Sequence, residues 1–318
     1  MDEPIRQETA TTSVRRKRRS LLVDLTLRLV KEKPLGTVGA VIVLGLFAVG
    51  IAADLLAPYP YDKLHLADAL EAPSSKYILG TDDLGRDLLS RIIYGARVSM
   101  VVGLAGSTLA TVISVFIGLV CGFFAGRSDL IIQRFVDAWM SFPGIFLMLS
   151  VMAVMGSGLV QVIVVLGLLY GIGGSRIVRG AVLGIKENMY VSAAIAIGCP
   201  PGRLLMRHIL PNVMAPIIIL FTTRMASMII LEATMSFLGF GIPPPTPSWG
   251  GMLSGSGRRF MLMAPWMVLW PGIALSVVVY GINMLGDAVR DLLDPRLRGT
   301  TGSYGGSKGK LERKRQHP

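Results

Sequence analysis

Read for its hydrophobic and polar positions, the chain is a series of long apolar runs separated by short polar punctuation. Crossing roughly 30 Å of hydrocarbon takes about 20 residues of helix. Six runs reach that length, near 35 to 57, 96 to 126, 131 to 156, 159 to 181, 212 to 238 and 264 to 287. Between the third and fourth, Gly156-Ser157-Gly158 is the only turn. The pattern therefore predicts an all-α, polytopic membrane protein with six transmembrane helices. Residues 58 to 95, rich in Pro, Asp and Tyr, are too polar to span and too long for a tight turn. Their end, GTDDLGRDLLSRIIYGARVS at 80 to 99, predicts a turn followed by an amphipathic helix with Leu84, Leu88, Leu89, Ile92 and Ile93 on one face. Gly118, Gly122 and Gly126 recur at four-residue spacing in the second run, a stripe of small residues that lets another helix approach closely.

Composition strengthens the membrane reading. The 318 residues are 52% hydrophobic and only 16% charged, with Gly 37 and Met 17, and the mean hydropathy is +0.59. An average soluble domain carries roughly 25% charged residues. The alternating pattern of a transmembrane barrel is missing. Cys121 and Cys199 are the two cysteines and form no CxxC, so a disulfide framework or cysteine metal site is not predicted. The first long apolar run is long enough to span and reads as a retained signal anchor.

The net charge of +12 by itself suggests nucleic acid, but the bases sit at the chain ends and in short loops, as the positive-inside rule describes. Residues 1 to 34 carry nine Lys or Arg, including the run Arg15 to Arg19, and residues 290 to 318 carry eight. Arg176, Arg179, Lys186, Arg203 and Arg207 surround the connection between the fourth and fifth runs. Residues 58 to 95 instead carry four bases against six acids. Both termini and the 185 to 211 connection are expected in the cytoplasm, residues 58 to 95 on the opposite side, and the bilayer rather than nucleic acid as the basic tails' partner.

Catalytic signatures are lacking. GIGGS at 171 to 175 lies inside an apolar run without the Lys-Ser or Lys-Thr of a phosphate loop, and G-x-x-x-x-G-K-[ST] does not occur. His65, His208 and His317 are scattered, and neither HExxH nor a nucleophile elbow is present. Asp82, Asp83 and Asp87 allow a hard-cation site, against the plainer reading of a structural turn. GFGIPPPTPSWGGM at 239 to 252 imposes a stiff extended path, either a rim for an external partner or a structural turn. Arg224 lies near the middle of the fifth run, where an ionisable residue is a functional candidate because charge in lipid is expensive. It suits either an anionic ligand or an interhelical partner. Glu232 is about 80° round the helix and about 12 Å along it, so direct pairing is not predicted.

The connection from 192 to 212, SAAIAIGCPPGRLLMRHILPN, reads as helix, break and helix. Met189 to Ile197 predict a short helix with small Ala193 and Ala194 on its surface. Gly198 and Pro200-Pro201-Gly202 end it, Arg203 to Leu210 form a further turn or two, and Pro211 and Pro216 open the fifth run.

Ala193, Ala194, Gly198 and Leu210-Pro211, with nine residues between Gly198 and His208, resemble the EAA loop of inner-membrane subunits of bacterial ABC importers. HILPN at 208 to 212 is similar to the peptide and nickel permease branch. So are GTDDLGRDLLSRIIYGAR (80 to 97), EATMSFLGFGIPPPTPSWGGML (232 to 253), PGIALSVVVYGINMLGD (271 to 287) and RDLLDPRLR (290 to 298), which look like the C-type permease of dipeptide and oligopeptide importers. Ser192 departs from the pattern, which usually carries Glu there, and Arg224 stands where the family usually has a small residue.

The resemblance implies a type I permease fold in the bacterial inner membrane, divided into a basic tail (1 to 34), a first span (35 to 57), an extracytoplasmic cap (58 to 95), a permease core (96 to 289) and a basic tail (290 to 318). It implies half of a pore for di- or oligopeptides, paired with a second homologous permease, two ATP-binding subunits and an extracytoplasmic solute-binding protein. No cofactor is expected in this chain, and ATP and Mg belong to the ATPase partners. By resemblance Ser192, Ala193, Ala194, Gly198, Pro201, Gly202, Arg203, His208, Leu210 and Pro211 form the coupling contact with the ATPase. Arg224 and Glu232 are the candidates for the substrate path or gate. Nickel chelates and glutathione are alternative cargoes. A secondary transporter without an ATPase, and a membrane-anchored enzyme, are the competing classes, disfavoured by the lack of an intramembrane proton-relay set and of catalytic motifs.

Overall fold

The computed structural model describes residues 21–293. Arg15 to Arg19, His317, the tail from 300 onward and the end of RDLLDPRLR lie outside the described residues. Helices dominate, and the described residues hold one isolated bridge, Thr81 to Asp87, and no strand. In chain order they are α1 (Leu21–Glu32), α2 (Pro34–Ile51), α3 (Ala53–Leu56), α4 (Leu88–Phe124), α5 (Gly126–Ser141), α6 (Gly144–Met155), α7 (Leu159–Lys186), α8 (Met189–Ala196), α9 (Pro201–Leu204), α10 (Met214–Phe237), α11 (Trp249–Leu253), α12 (Gly255–Phe260) and α13 (Trp266–Leu293).

Five helical stretches are long and apolar enough to cross a membrane, namely α2, α4, α7, Pro201–Phe237 and α13, and a sixth results if the bent pair α5 and α6 is taken as one span. Large side chains such as Leu44, Phe116 and Val154 lie on the outside of the bundle. A soluble monomer rarely tolerates so much exposed apolar surface, whereas lipid covers it without loss.

Three predicted boundaries change, each for a local reason. The amphipathic helix of the 58 to 95 segment is not a separate docked element but the first turns of α4. Asp87 caps it, accepting from Ser90 N at 2.7 Å and Ser90 Oγ at 2.6 Å, and nothing then interrupts the helix for 37 residues. That rod is about 55 Å long, so it outruns the hydrocarbon. The third run is not a straight helix: α5 and α6 meet at 89°. Phe142 takes an extended conformation (φ −83, ψ 135), as a residue before proline must, and Pro143 has no N–H to continue the ladder. The fifth helix begins at Pro201 rather than near 212. Pro211 is absorbed by a π turn over Leu205–Ile209 and a 3₁₀ turn over Leu210–Val213, which rearrange the bonding that a proline would otherwise break.

The bundle is centred on α4 and α7, whose contact is the most extensive in the chain. A Cβ built on Gly118 of α4 falls 2.6 Å from Val178 Cβ and 2.8 Å from Ser175 O, and one on Gly171 of α7 falls 2.7 Å from Ile113 Cβ. Both helices therefore notch into each other, and Ser114 Oγ donates to Gly171 O at 2.8 Å. The predicted stripe holds at Gly118 and Gly122 but ends there. Gly126 has φ +67, and a Cβ placed on it would meet nothing within 4 Å, because the chain turns into α5 at that point. On the other side α2 packs on α13, and Lys33 Nζ bonds Asp291 Oδ2 at 2.5 Å.

The segment 58 to 87 folds over one end of the bundle. Trp249 and Trp266 pin it and its neighbours by donating to Ile92 O and Thr81 O, each at 3.1 Å. Asp82 accepts from Leu84 N and Arg86 N at 2.9 Å and pairs with Arg86 at 2.6 Å and Arg91 at 3.6 Å, so this carboxylate and the capping Asp87 are engaged by the protein itself. The opposite end carries α8 and both ends of the described chain.

Candidate functional site

At the end opposite the cap, α8 lies across the tips of α4 and α7. Its inner side is set by Val191 and Ala194, which pack with Leu204, Phe123, Ile185 and Cys199, and Lys186 Nζ fixes the adjacent chain by donating to Phe123 O at 2.7 Å. Ala194 is thus a buried contact of the loop with its own bundle, at 7% exposure, and the expectation that it lies on the helix surface is wrong. A residue three after Val191 shares its face, and Val191 is fully covered. Ser192 and Ala193 are exposed. Met189 and Ile197, each 86% exposed, flank Ala193 at four-residue spacing and complete one apolar outer face. Neither stands out among the candidate residues of the sequence, although that spacing marks the face opposite Val191 and Ala194.

The helix ends as its residues require. Gly198 has φ +76. Its N–H donates to Ile195 O at 2.9 Å, and Cys199 N–H to Ala194 O at 3.0 Å, the paired bonds of a Schellman cap, which favours glycine. No atom lies within 4 Å of a Cβ placed there. Pro201 opens the next helix at its first position, where its missing N–H is harmless. Pro201, Gly202 and Arg203 are exposed, His208 and Leu210 half-buried, and Pro211 exposed. Leu210 packs beside Ile209, Val213 and Val182, and Asn212 Nδ2 donates to His208 O at 2.6 Å. The loop residues therefore divide into an outward set (Ser192, Ala193, Gly198, Pro201, Gly202, Arg203, Pro211) and an inward set (Ala194, Leu210) with His208 between.

Two ion pairs fix α5 to α7 nearby. Arg179 grips Asp129 through two bonds of 2.6 and 2.5 Å, and Arg176 binds Asp137.

Arg224 and Glu232, both on α10, occupy different surroundings. Glu232 is fully buried. Ser236 Oγ donates to its Oε1 at 2.8 Å and accepts from Ile242 N at 3.3 Å, while Glu232 Oε2 is buried without a hydrogen-bond partner among the described residues. It ties α10 to the 238 to 248 loop at the cap end. Arg224 is half-buried, with its Cζ 4.8 Å from the centroid of Tyr170. It borders a cavity of about 220 Å³ lined by Trp139, Phe142, Leu147 and Leu169 among others, so the α5 to α6 bend forms one wall. No acidic side chain lies within ion-pair distance of it among the described residues.

In the cap, Asp68 accepts from Lys76 Nζ at 2.7 Å and Tyr77 Oη at 2.8 Å. The bond from Lys76, and then that from Tyr77, hold its carboxyl below the ordinary carboxylate range. Burial foremost, with the Asp68 bond, pushes the Tyr77 hydroxyl up.

Residues 114–299 match the model of the binding-protein-dependent transport system inner membrane component family. The chain is 38% identical over 268 residues to a dipeptide transport system permease protein of Alkalihalophilus pseudofirmus, covering 84% of this chain and 88% of that protein. It is 39% identical over 257 residues to a glutathione transport system permease protein of Pectobacterium atrosepticum (80% and 85%). It is 36% identical over 285 residues to an oligopeptide transport system permease protein of Bacillus subtilis (90% and 93%).

Proposed function

The chain belongs to the family of binding-protein-dependent transport system inner membrane components, and on that premise we propose that it forms half of the pore of an ATP-driven importer for di- or oligopeptides. It is a multi-pass inner-membrane protein, and the distribution of bases favours α8 and both termini in the cytoplasm, with residues 58 to 87 outside. A second homologous permease supplies the other half of the pore. Two ATP-binding subunits, which hold the ATP and Mg, dock at the cytoplasmic end, and an extracytoplasmic solute-binding protein delivers cargo at the cap end.

The observation that carries the coupling role is the construction of α8. Its inner face, Val191 and Ala194, packs with Phe123 of α4, Ile185 of α7 and Leu204 of α9, while Met189, Ala193 and Ile197 stand exposed on the other, so a push on this helix reaches the ends of these spans. Rigid seating is what a transmitting element requires. Ser192 is exposed and uncharged where relatives of this type usually carry Glu, so the contact with the ATPase rests on apolar surface and shape rather than on a charge at this position. Ala194 contributes by holding α8 in place, and Gly198 by fixing where the helix stops.

The test is to coexpress the tagged chain with the neighbouring genes of its operon, purify in mild detergent, and measure copurifying subunits and peptide-stimulated ATP hydrolysis. A second permease and ATPases are expected with the wild-type chain, and the ATPases are expected to be lost with Ala193→Trp, which adds bulk on the outer face without touching the inner one. Recovery of the chain alone, moving solute in liposomes without ATP, would refute the proposal.

A further inference from the structure

We infer that Arg224, Tyr170 and the α5 to α6 bend form an anion site inside the permease that takes a carboxylate of the passing cargo. This rests on the importer reading above and adds to it a place and a chemistry.

Arg224 lies in α10, ten residues from its start and thirteen from its end, so neither end of the helix brings it to an aqueous surface. A cation at such depth is expected to meet a counter-charge. The four arginines of α4 and α7 do: Arg91 has Asp82, Arg97 has Asp54, Arg176 has Asp137 and Arg179 has Asp129. Arg224 has the face of Tyr170 at 4.8 Å, which stabilises a cation through the ring quadrupole but leaves the guanidinium's donors free to meet an anion. Its negative partner has to come from outside the described chain.

The shape of the space beside it says what kind of partner. The cavity holds about 220 Å³, smaller than the roughly 300–1,000 Å³ of pockets that enclose a whole small molecule. It has room for the end of a peptide rather than its length. Its other walls include Trp139, Met140, Phe142, Leu147 and Leu169, apolar or aromatic side chains. One fixed cation and apolar walls match a carboxylate joined to a small or apolar side chain, as at a peptide C-terminus. A side chain of the second permease is the competing occupant of this recess, and the variants below separate the two. The arginine stacks on Tyr170 and has no second cation beside it in the cavity among the described residues, so the site binds weakly enough to release its ligand, as a transport path demands.

The experiment uses the membrane complex of both permeases and the ATPases in nanodiscs, without the solute-binding protein, and equilibrium binding of radiolabelled dialanine, its C-terminal amide and glutathione. Wild type is expected to prefer dialanine over the amide. Arg224→Gln is expected to weaken dialanine about 10- to 100-fold, the range of a charge-assisted hydrogen bond, and to bring acid and amide to the same affinity, with Arg224→Lys between. Unchanged acid-over-amide preference in Arg224→Gln would overturn the inference. So would loss of the second permease from Arg224→Gln preparations but not from Arg224→Lys, because that identifies the arginine as an interhelical partner. Wild-type binding of glutathione alone would correct the peptide cargo; the inference then holds if Arg224→Gln weakens glutathione about 10- to 100-fold and is overturned if it does not. Binding of none of the three would overturn both readings.

Discussion

Replacing Gly198 separates two roles that this residue combines, the conformation that ends α8 and the clearance beyond it. Its φ of +76 is a region that costs an L-residue about 1–2 kcal/mol. Alanine recovers about 0.4–1 kcal/mol by narrowing the unfolded ensemble. Nothing lies within 4 Å of the added methyl, so no steric term enters within the chain. The net is about 1 kcal/mol, felt at the bonds from Gly198 N to Ile195 O and Cys199 N to Ala194 O. That is about a fivefold shift from the capped to the frayed helix end. Peptide-stimulated ATP hydrolysis by the assembled importer should therefore fall several-fold for Gly198→Ala. The thermal midpoint of the chain alone in detergent should move by no more than about 2–4 °C, because the packing of α4 on α7 is untouched. Gly198→Asn is the deciding variant. Asparagine tolerates this φ better than alanine, so it should retain more coupling than alanine despite its larger side chain, while Gly198→Val should retain least. Equal coupling for alanine and glycine, or asparagine falling as low as valine, would refute the conformational argument, the second result by showing that clearance against the ATPase governs.

Three further outcomes are expected. Gly118→Ala puts its methyl 2.6 Å from Val178 Cβ and 2.8 Å from a carbonyl oxygen, so it should destabilise the purified chain by about 1–3 kcal/mol; Gly180→Ala on the open side of α7 meets nothing and should stabilise it by up to about 1 kcal/mol, both read by thermal size-exclusion. Trp249→Phe keeps most of the buried volume but leaves Ile92 O without the bond it accepts at 3.1 Å, so about 1 kcal/mol should be lost, and Trp249→Ala should lose about 3–5 kcal/mol, both measured by the same thermal size-exclusion series. Asp68 is held below the ordinary carboxylate range, so its contribution is present above the unfolded value of 3.8 and is lost as pH falls through its lower folded value. Hydrogen exchange in residues 58 to 87 should therefore quicken only below about pH 4, and Asp68→Asn should quicken it at neutral pH and flatten the acid step.

Continuity of apolar sequence was enough to locate the spans, since backbone groups in lipid must bond within their own helix and the run lengths follow from the bilayer. The same local logic located the break at Gly198 and Pro200-Pro201-Gly202, because glycine and proline act on their own backbone. Where a helix joined its neighbour could not be read that way. The first turns of α4 look like a separate element in the sequence because polarity changes there, yet Asp87 caps the whole 37-residue rod. The angle between α5 and α6 needed Pro143 together with the surface on which α6 packs. Ala193 and Ala194 are the same residue in sequence, and only the seating of α8 on Phe123, Ile185 and Leu204 made one a surface and the other a core. Arg224 was visible as a charge in an apolar run, but its environment was not. Tyr170 is 54 positions earlier and Trp139 a further 31, and the separation of residues along a chain carries no information on which of them share a cavity until the helices have packed.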